Sequence, residues 1–450
     1  MLAKLHARLG DFWWYSLMIF CACRAADLLN AFVGLWLVPK YVGQSELGAV
    51  QPLTQFAVFL ALPVSIFAMT FMKEMTELAT RGEYGKMKSL MRGVFIGAGI
   101  FLVLALVASR FILPAFLERI RVAEGSLGII IVASAFIGSV SPVYQNALQA
   151  LKRFKTISFL NIIGAPIRFV TMLVAMPFRA LTGYFVGQAA QPAFAIVTSV
   201  WSLRKELSVP AEPYWTRPIV RRFTSVLLGI AAYNIAGSIL GLVEQTVLRQ
   251  RLPEIDSAAY YMTTRFSDIA SFVYGTLTMV LFPFTASLAA EGKPTRPLVV
   301  KSSLAMLAAG ILLAIVFAFL GRTVLAFLPD GDKYTGFYWA IPWLIMITSL
   351  SGIQSFHTTT EISAGRFGFL WWWVPVNIAF AAGLLLVTGY GYFTSILPAS
   401  WNSFLATHNF TSLKAMLVWF TATTLVKTAI AIFELVRQPR QDCHATLRQA

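Results

Sequence analysis

Apolar runs long enough to cross a bilayer recur along the whole chain, separated by short polar segments. About 20 predominantly apolar residues carry a helix across the hydrocarbon core, and twelve stretches meet that measure. They are residues 12–39, 46–72, 93–115, 126–151, 156–178, 181–203, 223–248, 257–290, 298–320, 336–364, 367–389 and 412–435. Lipid offers no water to backbone amides, so each run predicts a helix that satisfies its own hydrogen bonds. The fifth and sixth runs nearly touch in sequence and predict a tight helical hairpin. The expected class is an all-α membrane protein with twelve transmembrane helices. One inner segment, Lys73 to Arg92, mixes charges with Met75, Leu78, Met87, Leu90 and Met91. It reads either as an amphipathic helix in the interface or as a solvated linker.

A faint internal repeat divides the chain. Leu78, Ala79, Gly82 and Lys86 match Leu288, Ala289, Gly292 and Arg296, and Arg153-Phe154 matches Arg366-Phe367. The repeat predicts two six-helix bundles, residues 1–208 and 209–450, the second ending in a short cytoplasmic tail. Transporters built this way hold substrate between the halves near the midplane.

Composition sharpens the class. Hydrophobic residues make up 58% of the chain and charged ones 12%, against about 25% charged in soluble domains. A net charge of +16 would suggest nucleic acid in a soluble protein. Here, counting residues near a span end with the adjoining segment, 22 of the 36 lysines and arginines fall on the predicted inner side, 10 on the outer side and four deep inside spans. That is the positive-inside bias. It predicts a multi-pass protein of the inner (plasma) membrane with both termini cytoplasmic and no nucleic-acid partner. Trp13, Trp14 and Tyr15, and Trp371 to Trp373, fall at predicted inner interfaces, and Tyr260 and Tyr261 at the outer one, as aromatic anchors do. The N-terminal run after Lys4 and Arg8 is too long for a signal peptide and contains charge, so it reads as a retained first helix.

The candidate chemistry lies in charges inside the spans. Arg24 and Asp27 sit near the middle of the first, where a charge costs about 2.5–3.5 kcal/mol. Their i, i+3 spacing puts them on one helix face, turned toward the bundle interior and away from lipid. Arg265 and Asp268 repeat the spacing in the eighth span. Arg168 lies in the fifth, Glu244 in the seventh, Glu361 in the tenth and Lys427 in the twelfth. The cations either neutralise local acids or receive an anionic substrate, and arginine suits phosphate through its planar fork of donors. Asp27, Glu244, Asp268 and Glu361 are either ion-pair partners or sites for a coupling H+ or Na+. Gln145, Asn146, Asn161, Gln188, Gln191, Asn234, Gln245 and Gln354 read mainly as interhelical glue, and His357 as a packed residue. Pro63, Pro142, Pro166, Pro192, Pro342 and Pro375 predict kinks.

Several classes are disfavoured. Cys21, Cys23 and Cys443 suggest neither a metal site nor a disulfide framework. No glycine-rich phosphate loop or zinc-protease motif appears, so no cofactor and no enzyme activity are expected. The largest outer segment, residues 390–411, is too short for a catalytic domain, which weighs against a glycan polymerase or glycosyltransferase.

Three segments carry a resemblance: WLVPKYVGQSELGAVQPLTQFAVFLALPV (Trp36 to Val64), RGEYGKMKSLMRG (Arg81 to Gly93) and ALQALKRFKTIS (Ala147 to Ser158). They resemble polysaccharide repeat-unit flippases of the multidrug/oligosaccharidyl-lipid/polysaccharide exporter superfamily. The resemblance implies a MATE-like flippase fold and outward transfer of an undecaprenyl-diphosphate-linked oligosaccharide, as in O-antigen, lipopolysaccharide or exopolysaccharide synthesis. It implies a cationic cavity that maps onto Arg24, Arg168, Arg265 and Lys427, and pathway partners that include a polymerase and glycosyltransferases. Two relatives are alternatives. A peptidoglycan-precursor flippase also uses cations in its first and eighth helices but usually has two further helices. An ion-coupled multidrug exporter would use Asp27 for coupling, but its cationic substrates would be repelled by Arg24 and Arg265.

Overall fold

The computed structural model describes residues 21, 23–123, 127–290, 294–363, 366–388 and 412–437. The anchors at 13–15, the outer segment 390–411 and the tail from 438 lie outside the described residues. Among those described there are helices and turns and no strand. The long helices are α1 (residues 23–41), α2 (Val50–Thr80), α3 (Tyr84–Arg119), α4 (Leu127–Ala150), α5 (Phe154–Ala175) and α6 (Ala180–Ser202). They continue as α7 (Arg217–Arg251), α8 (Glu254–Ala290), α9 (Arg296–Ala326), α10 (Ala340–Ser363), α11 (Leu370–Val387) and α12 (Leu413–Arg437). Each falls on one of the twelve apolar runs. Eight are long and apolar enough to cross a membrane by composition, and α10 with the short 3-10 helix before it makes a ninth, bent by 69°. The protein is an all-helical, multi-pass membrane protein.

Contacts divide the chain into two compact units, Met1–Glu46 with Val50–Ser238, and Leu47–Ala49 with Ile239–Ala450. The division passes through α7, so the first unit keeps the whole connecting segment and that helix as far as Ser238.

In the first unit, α5 and α6 pack as the expected hairpin. Lipid tails give no hydrophobic drive to helix pairing, so close backbone approach at small residues does the work. Gly183 and Gly187 lie four apart on α6. A Cβ at Gly183 would come within 2.5 Å of the Ala175 carbonyl carbon, and one at Gly187 within 2.1 Å of Met172 Cγ and 3.3 Å of the Arg168 carbonyl oxygen. This hairpin fixes where α5 presents Arg168. In the second unit a Cβ at Gly310 would come within 2.1 Å of Ser349 Oγ, which brings α9 and α10 together in the same way.

Helix α1 contains a π turn, Val33–Leu37, closed by the Val38 N–H donating to the Val33 carbonyl. Pro39 accounts for it. Proline has no N–H to continue the ladder, and its ring clashes with the carbonyl four residues back, so the turn widens by one residue. Other prolines inside helices include Pro63, Pro114, Pro142, Pro166, Pro192, Pro283 and Pro375. Pro342 instead sits in the first turn of α10, where no ladder bond is lost.

The segment from Lys73 to Arg92 is helical on both sides of one turn and is not a free linker. Helices α2 and α3 run on past the apolar runs and meet at a turn around Gly82, whose φ is +73°. Met75, Leu78, Met87, Leu90 and Met91 are buried in one core cluster with Val143, Leu160 and Tyr214. The connecting residues 209–215 bind across it. Lys88 Nζ donates to the Val209 carbonyl at 2.9 Å, the Glu212 N–H to the Gly85 carbonyl at 3.1 Å, and the Tyr214 hydroxyl to Glu74 Oε2 at 2.8 Å. A Cβ at Gly93 would meet the Trp215 indole at 2.7 Å.

Candidate functional site

The intramembrane charges occupy two separate settings, one in each unit. In the first, Arg24 Nη2 meets Asp27 Oδ2 at 3.0 Å, with both side chains about a quarter exposed. The i, i+3 spacing is enough to form this pair, because residues three apart on a helix are surface neighbours. From α5, Arg168 Nη1 donates to Asn30 Oδ1 on α1 at 3.0 Å, and Asn161 Nδ2 donates to Cys23 Sγ at 3.5 Å. A hydrogen-bonded strip therefore joins α1 to α5, with two guanidinium groups and one carboxylate along it.

In the second unit, Arg265 Nη1 meets Asp268 Oδ2 at 3.0 Å, and its guanidinium lies 5.0 Å from the Tyr261 ring centre. Lys427 on α12 is held by α11. Its Nζ lies 3.4 Å from Asn377 Oδ1 and 5.3 Å from the Trp373 ring centre. Asn377 is fully buried, and its amide nitrogen donates to the Trp373 carbonyl at 2.7 Å. That bond leaves the amide oxygen facing the ammonium. Glu244 on α7 interacts with Lys427 electrostatically. One turn away, Gln354 Nε2 donates to the Thr424 carbonyl and to Thr428 Oγ1, both at 2.8 Å.

Glu361 stands apart from these groups. It is buried, and its carboxylate meets Arg366 Nη2 at 3.0 Å just past the end of α10. His357, one turn earlier on α10, is buried with Nε2 2.8 Å from Glu434 Oε2 on α12. Of the three consecutive tryptophans, Trp371 is exposed, while Trp372 and Trp373 are packed. Among the described residues no cluster of three or more His, Cys, Asp or Glu could hold a metal ion.

A cavity of about 260 Å³ opens between α2, α4 and α6 in the first unit, lined by Thr54, Ser65, Ser134, Ser139 and Gln188 among small apolar residues. Every one of the four hydroxyls spends its proton on a carbonyl of its own helix: Thr54 to Val50, Ser65 to Ala61, Ser134 to Ile131 and Ser139 to Phe136, at 2.7–2.9 Å. Gln188 donates an amide proton to the Tyr184 hydroxyl. The oxygens are thus available as hydrogen-bond acceptors. A Cβ at Gly138 would meet nothing within 4 Å, so the wall is open there.

Sequence reasoning singled out the charges but not Asn30, Asn377, Glu434 or the hydroxyl-lined cavity. An asparagine within an apolar run is a usable signal, because it needs a partner in lipid. Isolated serines and threonines that bond their own helix carry no such signal.

No protein-family model matches the chain, and no curated protein matches it. Solved structures do. An inward-facing multidrug resistance MATE family transporter of the MOP superfamily aligns with a TM-score of 0.64 and 14% identity, over 92% of this chain and 96% of that one. A mutant of the Vibrio cholerae MATE transporter VcmN aligns with a TM-score of 0.62 and 15% identity over 98% of both chains. A Pyrococcus furiosus MOP superfamily transporter, described as having a binding pocket of reverse polarity, aligns with a TM-score of 0.62 and 14% identity over 94% of both. Sequences this distant share architecture, and the chain has the fold of the MATE transporters of the MOP superfamily.

Proposed function

We propose that this protein is a flippase that carries an undecaprenyl-diphosphate-linked oligosaccharide from the inner to the outer leaflet by alternating access. The observation that carries the reading is the pair of half-buried guanidinium groups, Arg24 and Arg265, each steadied by a carboxylate three residues on. Charge inside a membrane is costly and is retained where it serves a polar substrate or ion. A diphosphate replaces the hydration these groups have lost, through paired charge-assisted hydrogen bonds. Arg168 adds a third donor. Lys427 contributes least, because Asn377, Trp373 and Glu244 already engage it. The acceptor-lined cavity in the first unit suits the hydroxyl donors of the sugar. Membrane potential, negative inside, favours outward passage of an anion by about 2.3 kcal/mol per charge per 100 mV. In this reading the carboxylates Asp27 and Asp268 exchange a coupling H+ or Na+ as the guanidinium groups engage and release substrate. The inner membrane with cytoplasmic termini is the location this reading requires, and the polymerase and glycosyltransferases of the same pathway are its partners.

The test is transfer of a fluorescent lipid-diphosphate oligosaccharide in proteoliposomes. Arg24→Ala and Arg265→Ala should each slow transfer roughly 10- to 100-fold while the protein still inserts and folds. Normal transfer in both variants overturns the proposal. The second reading, an ion-coupled multidrug exporter, draws support from the multidrug transporter named among the structural neighbours and from Asp27 on the first helix. Resistance to cationic drugs on expression, lost in Asp27→Asn, would select it. Transfer of the peptidoglycan precursor in the same liposomes would select the third.

A further inference from the structure

Where α4 turns into α5 and α6 gives way to the short helix Arg204–Ser208, the first unit carries an open notch of about 280 Å³. Its lining is Arg153, Trp201, Ser202, Arg204 and Lys205. Arg153 is a fixed wall: its guanidinium donates to the Ser202 carbonyl and hydroxyl and to the Glu206 carboxylate. Arg204 and Lys205 are exposed, and the Arg204 guanidinium lies 5.4 Å from the Trp201 ring centre. Three cations therefore face one carboxylate, beside a tryptophan that is 66% exposed.

The notch leads onto an apolar track. Val197 and Trp201 lie four apart on one face of α6, and Phe194 on that face meets Phe159 of α5 at 6.2 Å between ring centres. Val197 is 69% and Phe159 49% exposed. A positive notch at the end of α6, an indole at its edge and a row of exposed apolar side chains beside it match the two ends of a phospholipid. Indoles favour headgroup level, and basic pockets at helix ends attract anionic headgroups.

We infer that this notch binds an anionic phospholipid in the leaflet on the lysine- and arginine-rich side. Arg204 and Lys205 hold the headgroup phosphate, Trp201 lies against the glycerol, and an acyl chain runs along Val197 and Phe159. The site is independent of what the protein transports.

The test places the intact protein in nanodiscs of phosphatidylcholine with or without phosphatidylglycerol, then extracts it gently and counts retained lipids by native mass spectrometry. The wild type should retain one phosphatidylglycerol at least fivefold above phosphatidylcholine. The double variant Arg204→Ala, Lys205→Ala should lose that preference, and the charge-keeping swap Arg204→Lys, Lys205→Arg should keep it. Millimolar inorganic phosphate should leave the lipid in place, because phosphate has no chain to lie along Val197 and Phe159. Equal retention of the two lipids, an unchanged preference in the double alanine variant, or displacement by free phosphate would overturn the assignment.

Discussion

The two units hold their buried cations by the same pair of devices with different tightness. Each has one arginine paired to a carboxylate three residues on, Arg24–Asp27 and Arg265–Asp268, both at 3.0 Å. Each also has a cation that reaches an asparagine on another helix, Arg168 to Asn30 and Lys427 to Asn377. Asn377 is fully buried and bonded to its own helix, and Trp373 covers the ammonium. Asn30 is only half-buried. The asparagine acceptor is thus partly open in the first unit, whereas in the second it is built into the packing of α11 and α12. Similar residue types sit in different environments in the two units, and the proposed function assigns recognition to Arg168 and cohesion to Lys427.

That contrast can be broken at several points. The largest effect is expected on transfer: Arg24→Ala removes a charge-assisted contact worth about 1.5–3 kcal/mol, roughly a 10- to 100-fold loss of rate in proteoliposomes. Arg168→Ala should lose nearly as much and Lys427→Met only a few-fold. Equal losses at Arg168 and Lys427 would erase the distinction between the units. Next comes packing. Gly187→Leu forces a side chain into Met172 and should cost about 1–3 kcal/mol, seen as a lower melting temperature in detergent. Asn377→Leu leaves Lys427 without its acceptor at a cost of about 1–3 kcal/mol, while Asn30→Leu should cost under about 1 kcal/mol and lower transfer instead. The smallest change in stability is expected for Gly138→Leu, which enters open space. It should fold normally yet slow transfer of the oligosaccharide, and an unchanged rate would remove the cavity from the sugar's route.

Much of this was legible from residue spacing. Helix existence followed from apolar runs, and the two within-turn ion pairs followed from positions 24 and 27, and 265 and 268, because neighbours on a helix face need no tertiary contact to meet. Asn30 and Asn377 were not found as partners of Arg168 and Lys427, since those contacts depend on which helices become neighbours. The stretch from Lys73 to Arg92 left a helix and a linker both open for a related reason. Its charges looked like solvent exposure, yet its methionines and leucines pack against the connecting segment, which supplies Tyr214 from 140 residues away. The π turn in α1 follows from Pro39 near the end of an apolar run, a signal present in the sequence but not read.

The way residues 209–215 are stitched to α2 and α3 bears on how the gene can be dissected. A fragment that stops at Ser208 would leave Glu74 and the Gly93 groove uncovered, stripped of the tyrosine and tryptophan that normally fill them. Complementation from separately expressed pieces should therefore succeed only when the break falls after Trp215, with that short strap travelling as the trailing edge of the leading fragment.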